Sequence, residues 1–333
     1  MRKLTYLIII AVTLWGGYWF VGSTALERGV AAWFDQRRAE GWQADYTDLA
    51  TRGFPNRFDT TVEGLALADP NSGLAWTAPF FQFFALSYKP GHIIAIWPND
   101  QMISTPEEKI TITSSNMRAS VVFNETTDLN LNRTTLEMAD LGLSSDAGWS
   151  SNMQTGLLAM RQADGGDTAY QLHFEAKGVT PASDFIKRFE GIAFLTEVID
   201  GLTIDADLRF DAPWDRFAIE RARPQVTYID LDLLQATWGE LDLRLAGELT
   251  VDENGIPEGQ ITVKAKNWRE MLMLANQSGL LPSSLMSSAE KTLSFLASLS
   301  GDKTTLDTPL TFRNGFIAFG PIPLGPAPSL RLR

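Results

Sequence analysis

The chain has 333 residues, 44% hydrophobic and 20% charged, which excludes a disordered or fibrous protein and suffices for a substantial core. Its net charge of −12 repels nucleic acid and anionic headgroups, so no nucleic-acid partner is expected and any lipid should be held by an apolar surface rather than a basic patch. Without cysteine, disulfides, thiolate catalysis and Cys-ligated metals are excluded.

Residues 1–26 form the first element. Arg2 and Lys3 precede an uncharged run, Leu4 to Leu26, whose helical length at about 1.5 Å per residue exceeds the roughly 30 Å of a bilayer's hydrocarbon. Leu4, Ile8, Val12, Trp15 and Trp19 are the expected membrane-anchor residues, and Trp15, Tyr18, Trp19 and Phe20 have the character of an interfacial aromatic belt. The leading cations place that end in the cytoplasm and export the remainder. A cleavable signal peptide competes, because Ser23 and Ala25 form a small-x-small site. The long apolar run and the bulky aromatics before that site favour an uncleaved anchor.

Residues 27–41 predict an amphipathic helix. Leu26, Val30, Trp33 and Phe34 recur at helical spacing, Glu27 opens the segment, Arg37 and Arg38 occupy its last turn, and Gly41 closes it. The apolar stripe is expected to lie against a sheet rather than the membrane surface.

From Trp42 the pattern changes to period two, and 42–333 reads as one β-rich domain, with two lobes as the alternative. Within it the stretch Ala75 to Trp97 gathers Phe80, Phe81, Phe83, Phe84, Tyr88 and Trp97, which suits a core or, if exposed, a binding surface. In Thr203–Phe210, Ile204, Ala206, Leu208 and Phe210 face one way, while Thr203, Asp205, Asp207 and Arg209 face the other. Lys109–Thr113, Asp128–Asn132, Tyr228–Leu233, Glu240–Leu245 and Gln260–Lys266 alternate similarly, as half-buried antiparallel strands do. Hairpin turns are expected at Asp252–Gly255 and Asn314–Gly315. Helical insertions are expected near 181–199, carrying Phe185, Phe189, Phe194 and Val198, and near 268–299, split by Gly279 to Ser283. The proline-rich Gly320–Pro328 should run extended along an edge.

Catalytic motifs are lacking: there is no nucleophile elbow, zinc-protease helix, phosphate loop or dinucleotide fingerprint. Two histidines, His92 and His173, preclude a multi-His metal site, and no metal or cofactor is expected. Asp205 with Asp207, and Asp230 with Asp232, project in pairs from their strands; on adjacent strands they could hold a cation or perform acid/base chemistry, although the solvated side of a half-buried strand is the stronger explanation. Asp252, Asn254 and Glu258 resemble a calcium loop but lack its full spacing.

The segments GFPNRFDTTVEG at Gly53–Gly64, GELTVDENGIPEGQITVKAKNW at Gly247–Trp268 and PLTFRNGFIAFGPIPLGPAP at Pro309–Pro328 resemble an uncharacterised bacterial membrane-anchored family, domain of unknown function family 2125. These motifs are turns, strands and edges, and carry no catalytic residues across. More distantly, the repeated strand, DxxG turn and strand is similar to AsmA-like envelope proteins, whose long curved sheets form an apolar groove implicated in moving phospholipid.

The expectation is therefore a mainly β protein: an N-terminal transmembrane helix followed by an extended, curved antiparallel meander with helical insertions and an apolar groove. It would be a single-pass protein of the bacterial inner membrane with its C-terminal domain in the periplasm. Non-enzymatic binding or transfer of phospholipid or another hydrophobic envelope component is the favoured function, with Ile204, Leu208, Phe210, Leu241, Leu243, Leu245, Ile261 and Val263 as contacts. The alternatives are an envelope assembly scaffold that recruits proteins, and a hydrolase using the paired carboxylates.

Overall fold

A computed structural model describes residues 2–187, 195–218, 223–277, 283–299 and 302–332. The fold is mainly antiparallel β behind one long N-terminal helix, and the chain divides into two compact units, Met1–Glu125 with Leu136–Gly148, and Thr126–Thr135 with Trp149–Arg333.

In the first unit, the anchor and amphipathic segment read from the sequence form a single helix, α1 (Arg2–Ala39). It stops where Gly41 takes φ of 90° and the Gly41 and Trp42 amides return to the Arg38 and Arg37 carbonyls. Then come β1 (Gln43–Asp45), β2 (Asp48–Arg52), β3 (Arg57–Asp69), β4 (Leu74–Leu86), β5 (Lys89–Ile96), β6 (Asp100–Ser104), β7 (Lys109–Thr113), β8 (Asn116–Phe123) and β9 (Leu131–Ser145), the part of β9 from Leu136 belonging to this unit. The β3–β4 hairpin is its spine, with β1 and β2 paired to β3, and β5 and β6 paired to β4. Its core gathers Phe34, Ala44, Val62, Leu65 and Ala78, and Val30, Trp33, Trp76, Phe81 and Phe83 pack against them. The helix stripe therefore covers a sheet, and Phe81 and Phe83 of the aromatic run pack against the same core. Val62 and Leu65 share this core despite opposite parity because Gly64, at φ 60°, reverses the alternation. A Cβ there would lie 2.6 Å from Thr47 Oγ1.

The second unit is a meander of β10 (Ser150–Gln162), β11 (Ala169–Thr180), β12 (Ile199–Phe210), β13 (Val226–Trp238), β14 (Leu241–Val251), β15 (Pro257–Lys266), β16 (Thr305–Arg313), β17 (Phe316–Phe319) and β18 (Ile322–Pro326). Each pairs antiparallel with the next. Short α2 (Ser183–Lys187) precedes β12, while α3 (Trp268–Gln277) and α4 (Ser283–Leu299) lie between β15 and β16. The proline-rich terminus adds β18, paired to β17 alone among the described strands.

Two boundaries differ from expectation. Asp128–Asn132 is not a strand throughout: Leu129 adopts φ of 52°, its amide reaches the Thr126 carbonyl, and extended structure starts only at Leu131. The expected helix at 181–199 is helical over Ser183–Lys187, while Ile199 already pairs with Val179; residues 188–194, with Phe189 and Phe194, lie outside the described residues. The break between α3 and α4, at 278–282, also lies outside them.

Candidate functional site

The register of the second unit determines which side chains share a face, because directly opposed residues project the same way. Ile204 opposes Leu234, Leu208 opposes Ile229 and Phe210 opposes Val226. Leu234 then opposes Leu245, Ala236 opposes Leu243 and Trp238 opposes Leu241. Leu245 faces Val263 and Gly247 faces Ile261, which in turn faces Leu310. Ile204, Leu208, Phe210, Leu241, Leu243, Leu245, Ile261 and Val263 thus lie on one face.

That face has three environments. At one end Ala265 and Leu306 are buried with Trp268 of α3 and Leu293 of α4, and Leu243, Met271 and Leu296 pack half-buried against them. Near the opposite end Phe210 is buried against Tyr170 and Trp214, at ring separations of 5.9 and 5.5 Å. The Tyr170 hydroxyl donates to the Leu131 carbonyl at 3.0 Å, and burial pushes this phenol's pKa up. Between them Ala206, Leu231, Leu249 and Ile261 are buried, whereas Ile204, Leu208, Ile229, Leu234, Leu245, Leu310 and Phe312 stay half-buried. Leu241 and Val263 are buried.

Leu172 and Phe174 of β11 extend the same face, opposite Ala206 and Ile204. Sequence reasoning missed these two, and also Leu231 with Leu234, because a bulge at Asp232–Leu233 lets two residues three apart face one way. The pair of consecutive leucines at Leu233–Leu234 was the available signal.

The other face is acidic. The sequence pairs Asp205 with Asp207 and Asp230 with Asp232 along their strands, but the register also sets Asp207 directly against Asp230 and Asp230 against Glu248. Partial burial, then the charges of Glu248, Asp232 and Asp207, raise the Asp230 pKa. His173 Nδ1 lies 2.6 Å from Asp205 Oδ1, and the Tyr228 hydroxyl donates to Glu248 at 2.7 Å. Two concavities of about 610 and 590 Å³ lie along this face, and Asp207 lines both. Among the described residues no group of three or more Asp, Glu or His is placed to hold a metal ion. Asp252 instead accepts from the Asn254 and Ile256 amides, so its carboxylate closes the hairpin turn. His92 Nε2 bonds Ser120 Oγ at 2.9 Å between two strands.

The anchor residues divide into two groups. Leu4, Ile8 and Val12 are exposed along α1. From Trp15 onward the helix is fastened to the first unit: Trp15 Nε1 donates to the Pro55 carbonyl at 3.1 Å, Tyr18 Oη to Ser87 O at 2.6 Å, and Trp19 Nε1 to Arg57 O at 2.7 Å. Trp19, only 6% exposed, stacks on Phe58 and meets Phe54 edge-on. A Cβ on Gly22 would come 2.7 Å from the Phe58 ring, so glycine sets this close approach. Farther along, the Thr51 amide donates to the Glu27 carboxylate at 2.6 Å.

An apolar helix long enough to cross a membrane, carried by an antiparallel β body with a half-buried aliphatic face, defines the class of protein. The chain belongs to DUF2125, a family of uncharacterised proteins conserved in bacteria, whose model matches residues 19–328. No curated protein and no solved structure matches the chain significantly.

Proposed function

We propose that this protein is a single-pass protein of the bacterial inner membrane whose periplasmic body, without catalysing a reaction, binds or passes on a lipid or similar apolar envelope component. The observation that carries this reading is the half-buried apolar band of Ile204, Leu208, Ile229, Leu234, Leu245, Leu310 and Phe312 on a single sheet face. Each acyl CH₂ laid against such a surface gains about 0.8 kcal/mol, so a chain of ordinary length is held without any charged group. The fastening of Trp15, Tyr18 and Trp19 to the body supports an uncleaved anchor, since removing the helix would strip the Pro55, Ser87 and Arg57 carbonyls of these donors.

The test is photo-crosslinking in cells grown with labelled phospholipid precursors. Benzoylphenylalanine at Leu208, Leu245 or Leu310 is expected to form lipid adducts, and at Thr250, an exposed position on the other face, it is not. Adducts with proteins alone at the apolar positions would replace this reading with that of an assembly scaffold.

A further inference from the structure

Helix α1 joins the folded body sooner than a bilayer's thickness allows. From Lys3 to Trp15 the helix rises about 18 Å, at 1.5 Å per residue. The hydrocarbon layer is about 30 Å thick, and helix tilt only shortens the distance projected along its normal. Snorkelling by Arg2 and Lys3 recovers roughly one helical turn, about 5.4 Å. Yet Trp15 already bonds Pro55, and Tyr18 bonds Ser87.

The loop that meets the helix has the features required at that depth. Phe54 is 55% exposed and stacks on the exposed Phe20 at 5.6 Å, and Tyr88 and Leu86 are exposed on the neighbouring turn. Non-helical backbone survives among lipid only where its polar groups find partners within the protein. Here Gly53 O accepts from the Arg57 amide, Pro55 O from Trp15 Nε1 and Ser87 Oγ, Asn56 O from the Ser87 amide, Arg57 O from Trp19 Nε1, and Ser87 O from the Tyr18 hydroxyl. The exposed Arg52, Arg57 and Lys89 flank the loop and the turn, Arg57 paired with Asp59 at 2.9 Å, and are long enough to reach toward lipid phosphates.

We infer that this end of the first unit, the Gly53–Asn56 loop and the Leu86–Tyr88 turn, is immersed in the outer leaflet of the bilayer that α1 crosses, with Phe54, Phe20 and Tyr88 among its lipids. The inference rests on α1 spanning the membrane, and it makes that end of the body a lipid-contacting surface rather than a domain hung on a tether.

The absence of native cysteine makes the experiment direct. Phe54→Cys, Tyr88→Cys, Ile9→Cys and Asn71→Cys variants of the full chain are each labelled with an environment-sensitive fluorophore and reconstituted into phosphatidylethanolamine–phosphatidylglycerol vesicles. The vesicles carry spin-labelled lipid quenchers at shallow or deep acyl positions. The shallow quencher is expected to remove about half the emission at positions 54 and 88, which lie below the headgroups, and to leave position 71, at the far end of the β3–β4 hairpin, unchanged. Quenching at position 9 by the deep quencher with none at 54 and 88 overturns the immersion while leaving the anchor intact. Absence of quenching at position 9 removes the spanning helix and the immersion together.

Discussion

The indole of Trp19 donates to the main-chain carbonyl of Arg57 at 2.7 Å, and this bond joins a helix that is apolar enough to cross a membrane to the first strand of a long hairpin. The tryptophan lies under Phe54 and Phe58, so ring and hydrogen bond are shielded together. Trp19→Phe keeps an aromatic ring but leaves the carbonyl without its donor, at a cost of about 1–3 kcal/mol. Trp19→Ala should lose about 3–5 kcal/mol. Hydrogen exchange across residues 51–60 of the full chain in micelles is expected to accelerate in that order, and unchanged protection would show that the bond contributes nothing to docking.

Gly22 presents opposing effects whose sizes decide the outcome. Alanine in a helix gains about 1 kcal/mol over glycine. Its Cβ, however, would sit 2.7 Å from the ring of Phe58, which is buried with Trp19 beside it. Overpacking of that kind costs about 1–3 kcal/mol. Gly22→Ala should therefore be net destabilising by roughly 1 kcal/mol, whereas the same change at Gly17, with open space around it, should stabilise. Thermal melts of the two variants in one detergent decide between these signs.

Thr308 lies 2% exposed on the apolar face of β16, and its hydroxyl has no hydrogen-bond partner among the described residues. Replacing a buried, unpaired hydroxyl by a methyl removes a desolvation penalty with little change of shape. Thr308→Val should raise stability by about 1 kcal/mol in denaturant unfolding. A loss of stability would mean the hydroxyl is satisfied in solution.

Two aspartates should respond oppositely to pH. The Asp230 pKa is raised by burial and then by Glu248, Asp232 and Asp207, so the native state holds its proton more tightly than the unfolded chain does. Its ionisation therefore destabilises the fold as pH rises through the raised value. Asp230→Asn should stabilise at neutral pH by roughly 0.5 kcal/mol after solvent screening, and the gain should vanish in acid. Asp302 accepts from Thr304 Oγ1, the Thr304 amide and Thr305 Oγ1, which lower its pKa to about 2. Its stabilisation is full above the ordinary carboxylate range and disappears as pH falls toward that value. Asp302→Ala should lower the melting temperature at neutral pH and become indistinguishable from the parent near pH 2. Melting curves of both variants across acid pH check the two signs.

Sheet residues were legible where period two held without interruption. Lys109–Thr113 reads as a strand and is one, and Ile204, Leu208 and Phe210 read as one face and share it. The reading weakened where local backbone departed from the pleat: the Asp232–Leu233 bulge and the left-handed Gly64 reset which side chains face inward, and the left-handed Leu129 makes a turn where a strand was expected. The aromatics of α1 were legible as a membrane belt, but their hydrogen-bond partners, Pro55, Arg57 and Ser87, are 38 to 69 residues distant, beyond the reach of any local pattern.

The sequence by itself determined the apolar helix, the antiparallel class and the wet and dry sides of the strands, since these follow from charge, length and short-range periodicity. Only the tertiary structure decided that the helix is locked to its body by main-chain carbonyls, and that Leu241 and Val263 are buried while Leu208 stays half-buried. Burial depends on what packs over a face, and that covering comes from elsewhere in the chain.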